Sequence, residues 1–307
     1  MWMLLVLAYG IIKGIREICK KKALEKNTVM EVLTIYSILS VFLLLPDVKN
    51  VGGLENTQYL WIAIKSLVIF IAWIVGFKAI DKLPISIYGI LDLSRVVFAT
   101  FLGITILKEQ PTLYKTLGMV FVCAGLLFLK FNPKSIREAR EKRLSNANAP
   151  AASSETSTHS MTALVNRGSQ TWYVILAFIS CLLNAVSGLL DKILMKNMSS
   201  SQLQFWYMLF LAIYYVIYVI ITRTKISKTV FKNIWVWLLA ILLLIMDKAL
   251  FIANADPASQ VTIMTLIKQS SVIITILAGK FIFKEKDILH KIICAGIIIV
   301  GIIFGVM

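Results

Sequence analysis

Six charged residues lie inside long apolar runs of the sequence: Lys65, Asp92, Arg95, Asp247, Lys248 and Lys268. A charge at the centre of a bilayer costs about 2.5–3.5 kcal/mol on insertion scales, so each should face a partner or a polar cavity. Asp92 and Arg95 are three residues apart and can pair on one helix face. Asp247 and Lys248 are adjacent, so they point in different directions and serve different partners. Four of these six residues are basic, a balance that suits a substrate with a carboxylate or phosphate. The structural alternative is a set of buried ion pairs that only hold helices together. Tyr88 and Gln269 lie near these charges, as do Ser94, Asn184, Ser187, Tyr207 and Ser270, and all can line the same cavity. Lys13, Arg16 and Glu17 read as shallower, within reach of the interface by snorkelling.

Catalytic chemistry finds little support. The histidines, His159 and His290, fall in a polar linker and at a helix start. No HExxH, GxSxG, P-loop or strand-borne GxGxxG pattern occurs, which argues against an enzyme, and no metal or other cofactor is expected. The cysteines Cys19, Cys123, Cys181 and Cys294 sit in or at the ends of apolar runs without a CxxC pair, and read as small buried groups.

The elements that must position these residues are membrane helices. Of the 307 residues, 59% are hydrophobic, and the mean hydropathy is +0.83. Apolar runs of roughly 17–25 residues alternate with short polar breaks, the length that crosses a bilayer. In lipid the backbone must satisfy its own hydrogen bonds, so these runs are helices. Ten are expected: Trp2–Cys19, Val32–Pro46, Tyr59–Phe77, Pro84–Leu107, Leu113–Phe131, Trp172–Met195, Leu203–Thr222, Ile234–Ala253, Pro257–Phe283 and Ile288–Val306. The first reads as a retained helix, since it lacks a basic n-region and a small-residue cleavage site. Pro84 and Pro257 each stand where a helix would start. The net charge of +16 lies mostly in loops, where it signals membrane topology and not nucleic-acid binding. Its concentration in the odd-numbered loops puts those loops in the cytoplasm and both termini outside.

Residues 132–171 form a long polar break, basic over Lys134–Arg143 and rich in Ser, Ala, Thr and Asn from Asn146 to Asn166. The second part reads as disordered. The break separates two halves, 1–131 and 172–307, and the halves repeat. A shift of 176 residues lays Lys108–Phe131 on Lys284–Met307, matching Lys108 with Lys284, Glu109 with Glu285, Gly125 with Gly301 and, further back, Gly103 with Gly279. The same shift lays Asp92 on Lys268, which predicts an ion pair between the halves. Five helices is an odd number, so the second copy is inverted, an arrangement recurrent in secondary transporters with a site near the midplane. Glu109 and Glu285 read as caps of the fifth helix in each half, favoured by the helix dipole. Gly118, Gly125, Gly301 and Gly305 read as close helix packing, between the halves or between protomers of a homodimer.

Two segments resemble the EamA domain of the drug/metabolite transporter superfamily: Pro84…Lys108-Glu109…Gly118…Gly125 and Pro257…Lys284-Glu285…Gly296. Each shows a proline, a Lys-Glu pair and a glycine-containing fifth helix. The proline-to-glutamate spacings, 25 and 28 residues, suggest one extra helical turn in the second copy. The resemblance implies an all-α membrane protein of two inverted five-helix repeats. It also implies a multi-pass place in a membrane, expected to be a bacterial inner membrane, and transport of a small metabolite. The partners expected are that substrate and membrane lipids. A lipid or lipid-linked-sugar flippase of the same fold is the alternative.

Overall fold

The computed structural model describes residues 1–110, 112–130, 156–285 and 288–306. Among the described residues every regular element is helical. The order is α1 (Trp2–Leu24), α2 (Val29–Leu44), α3 (Asn56–Lys82), α4 (Ile85–Leu91), α5 (Ser94–Thr105), α6 (Leu113–Lys130), α7 (Thr156–Leu194), α8 (Ser200–Thr222), α9 (Ile234–Ala255), α10 (Val261–Lys268), α11 (Ser271–Phe281) and α12 (Ile288–Val306). Among the described residues seven spans are long and apolar enough to cross a membrane, counting α4 with α5 and α10 with α11 as one each.

The surface is apolar, and within a largely apolar interior lies a set of buried charges, unlike a water-soluble protein. Leu60, Phe101, Ile220 and Ile221 are exposed on the outside, while Lys13, Lys20, Lys65 and Asp92 are at most 5% exposed within. Helix ends away from this interior follow ordinary capping chemistry. Thr28 and Glu31 form a reciprocal capping box at α2, and Ser199 and Gln202 form another at α8.

Packing runs across the halves in reciprocal pairs. α1 lies against α9, and α3 lies against α7. α5 packs on α7, and α11 packs on α1. α4 meets α11, α5 meets α10, α2 meets α8, and α6 meets α12. The α6–α12 seam is where the glycines act. A Cβ on Gly301 would collide with Phe121 at 2.6 Å and the Gly118 carbonyl at 2.8 Å, and one on Gly125 would collide with Ile298. The close approach is thus made within one chain. Gly305 is not among the positions whose packing is described.

Several boundaries differ from the sequence reading. The helices expected over Pro84–Leu107 and Pro257–Phe283 are each broken in two, at Asp92–Leu93 and at Gln269–Ser270. Pro84 does open α4, as its N-cap, but Pro257 stands in the turn before α10, whose N-cap is Gln260. The three extra residues of the second copy fall in that turn, so no helical turn is added. α7 begins at Thr156, so the last part of the stretch expected to be disordered is helical. The rest of that stretch, and the basic segment before it, lie outside the described residues.

Candidate functional site

The broken helices converge on a polar cavity of about 70 Å³ at the centre of the bundle. α1 contributes more of its charged residues than any other helix. Tyr9, Lys13, Arg16, Glu17 and Lys20 all line it. Their spacing of three to four residues puts them on one face of the helix. Sequence reasoning placed Lys13, Arg16 and Glu17 near the interface. The structure corrects this, because α1 continues to Leu24 and leaves them mid-helix.

From α3 comes Lys65, whose ammonium pairs with Asp191 of α7 at 3.1 Å and lies 3.8 Å from the centre of the Tyr207 ring. Asp191 was not anticipated. It precedes Lys192 near the end of its apolar run. Lys192 does face the end of the bundle, where it donates to the carbonyls of Asn254 and Asp256 and to the Ser259 hydroxyl. Asp247 of α9 lines the cavity and accepts a hydrogen bond from the Tyr207 hydroxyl. Its neighbour Lys248 does not reach the site. It lies at the periphery, donating to the Ser201 hydroxyl at 2.6 Å and pairing with Asp47 at 3.5 Å.

At the first helix break, Asp92 is held by Lys13 and, at 2.8 Å, by Arg95. The i,i+3 pair expected with Arg95 is therefore present. The pair expected with Lys268 is not: among the described residues no ion pair joins Asp92 to Lys268. Lys268, at the matching place on the second half, is 7% exposed, lines the cavity and lies 5.3 Å from the centre of the Tyr9 ring. Tyr88 lines the cavity as expected, with Asn184 and Ser187. Gln269 is fully buried behind the wall, its amide without a hydrogen-bond partner among the described residues. Arg16 touches Glu17 at 3.6 Å through one amino group, while its Nε and Nη1 have no described partner.

Six cations line the space: Lys13, Arg16, Lys20, Lys65, Arg95 and Lys268. Three carboxylates line it, Glu17, Asp191 and Asp247, and Asp92 stands behind Lys13 and Arg95. The formal excess is two positive charges.

Two carboxylates outside the cavity set the frame of the broken helices. Glu285 accepts from the backbone N–H of Ile85 at 2.7 Å, from that of Ser86, and from the Ser86 hydroxyl. Glu109 accepts from the N–H of Val261 at 2.7 Å, from that of Thr262, and from the Thr262 hydroxyl at 2.5 Å. Each glutamate thus satisfies the free N–H groups at the start of the other half's broken helix. The capping role expected of them exists, but on different helices from those expected. Lys108 and Lys284, just before them, both adopt left-handed backbone, with φ of 54° and 49°.

An apolar exterior around a buried, charged cavity is the architecture of a multi-pass membrane transporter. The chain belongs to the EamA-like transporter family, whose pattern covers residues 1–131 and 171–307. No curated protein matches it. A solved structure described only as "Crystal structure of protein" is similar, with a TM-score of 0.64 and 10% identity over 99% of this chain and 96% of that one. That likeness speaks to the fold alone.

Proposed function

We propose that the protein is a secondary transporter that carries a small anionic metabolite by alternating access between two inverted five-helix repeats. Counting α4 with α5 and α10 with α11 as single crossings gives ten, five from residues 1–131 and five from 172–307. The reciprocal packing of the halves and the crossed glutamate caps support that count and a two-fold relation between them. The observation that carries the anionic assignment is the cavity's excess of cations over carboxylates. In this reading the substrate's carboxylate or phosphate is anchored by Lys268, which has no ion pair among the described residues, and by the Nε and Nη1 of Arg16, which have no described partner, while the paired Lys13, Lys65 and Arg95 set the surrounding potential. Tyr88 and Tyr207 shape the walls.

The test is a thermal-shift screen of the purified chain against anionic, neutral and cationic metabolites, followed by flux into proteoliposomes for each hit. A ligand that binds only the folded state raises its apparent stability. The expected hits are anions whose effect is lost in Lys268→Ala. Hits confined to cations or lipids would overturn the reading, and a lipid hit would favour the flippase.

A further inference from the structure

Three of the four carboxylates around the cavity have a cation within ion-pair distance. Glu17 has Lys20 and Arg16, Asp92 has Lys13 and Arg95, and Asp191 has Lys65. Asp247 has none among the described residues. Its hydrogen-bond partner is the neutral Tyr207 hydroxyl, and it is 8% exposed on the cavity wall. Arg16 from α1, Lys65 from α3, Asp191 from α7 and Lys268 from α10 line the same cavity as Asp247. The Tyr9 phenol of α1 and the Glu17, Lys13 and Lys20 side chains of the same helix line that cavity too. Lys65 is already engaged by Asp191, and Arg16 by Glu17. A desolvated carboxylate with no counter-ion of its own is stabilised by taking up either a cation or a proton.

We propose that Asp247 is a proton-binding site of the transport cycle, and that the proton travels with the anion. The first part stands on the geometry alone; the second rests on the anionic-substrate reading above. A proton on Asp247 adds one positive charge to the cavity, so the protonated form binds an anion more tightly. By linkage the bound anion holds the proton more tightly in return. The proton comes from the aqueous phase on one side and leaves to the other once the anion has gone. No other carboxylate around the cavity is free to do this, because each is tied to a lysine or arginine.

Infrared difference spectroscopy of the full chain in lipid vesicles, between acid and alkaline buffer and without ligand, reads the site directly. The expected result is a carboxylic-acid C=O band that disappears in Asp247→Asn and survives in Asp92→Asn. In Tyr207→Phe, which keeps the carboxyl but removes its donor, the band should persist at higher frequency. A band missing from the native chain, or surviving in a monodisperse, helical Asp247→Asn, overturns the proposal. A second arm uses sulfate, whose charge is fixed, at matched ionic strength. Sulfate should raise the unfolding midpoint more at about pH 6 than at about pH 8, with that difference gone in Asp247→Asn. Equal stabilisation at both pH values in the native chain overturns the coupling. If sulfate stabilises at neither pH while the infrared band behaves as stated, the anionic-substrate reading and the coupling fail, and the proton site stands.

Discussion

Asp92 and Lys268 occupy matching places in the two halves. Each lies seven residues after the first residue of a helix whose first N–H groups are capped by a glutamate from the opposite half. The frames agree closely. Both glutamates accept from a backbone N–H at 2.7 Å and from a hydroxyl one residue on, and both follow a lysine in left-handed backbone. At the breaks the agreement ends. One half carries an acid locked between two cations, and the other a base without an ion pair among the described residues. The repeated residues hold the helix starts in place; of the two that diverged, Lys268 lines the cavity and Asp92 stands behind Lys13 and Arg95.

The sharpest way to break this comparison is to remove each charge at the helix break. Asp92→Ala leaves Lys13 and Arg95 buried without a partner and should cost about 3–5 kcal/mol of stability. Lys268→Ala strands no partner, so it should leave the unfolding midpoint nearly unchanged and abolish transport. Equal losses of stability in denaturant titrations would refute the distinction. A charge swap at these two positions should not recover function, because Asp92 answers to Lys13 and Arg95.

Glycines under the caps test the agreement of the frames. A Cβ on Gly103 would stand 2.8 Å from the Glu109 carboxylate, and one on Gly279 would stand 3.0 Å from that of Glu285. Overpacking of this kind costs about 1–3 kcal/mol. Gly103→Ala and Gly279→Ala should therefore lower thermal stability by similar amounts, the first slightly more. Truncating the caps themselves, Glu109→Ala and Glu285→Ala, should each cost about 0.5–2 kcal/mol. A large loss in one with none in the other would show that the two frames are not equivalent.

The smallest effect is a pH dependence. Burial alone would raise the Glu285 carboxyl, but hydrogen bonds from Ser86 and Lys291, with the charge of Lys291, outweigh it and hold the group below its usual range. A carboxyl depressed in the folded state stabilises the fold fully above the ordinary glutamate value of about 4.3, and that contribution is lost as pH falls through the folded value. Glu285→Gln should flatten the acid limb of the stability profile, read by unfolding midpoints at several acidic pH values.

Much of the frame was legible in the sequence. The repeated Lys-Glu pairs, the shift of 176 and the glycines at 103 and 279 all belong to one joint, and local pattern exposed it. The partner of each glutamate was not legible, because it lies 152 residues away for Glu109 and 200 for Glu285, and no local signal links them. The helix breaks were missed for a simpler reason. Neither Asp92–Leu93 nor Gln269–Ser270 contains the glycine or proline that marks a break in sequence. The misplaced depth of Lys13, Arg16 and Glu17 follows from ending α1 at Cys19, five residues short. Their i, i+3, i+4 spacing, continued by Lys20, was the available sign of a charged helix face. The pairing of Asp92 with Lys268 failed because equivalence in a repeat brings two positions to matching places without bringing them into contact.

Crossed caps also impose an order on biosynthesis. Glu109 leaves the ribosome 152 residues before Val261, the group it must cap. At about 5–20 residues per second, that separation is roughly ten to thirty seconds during which a membrane-embedded first half holds an unsatisfied carboxylate at its edge. The start of α4 waits longer still, since its own cap, Glu285, is made 200 residues after Ile85. Neither half is complete until the chain is nearly finished. A ribosome that stalls midway leaves a species whose missing partner is the rest of the same chain.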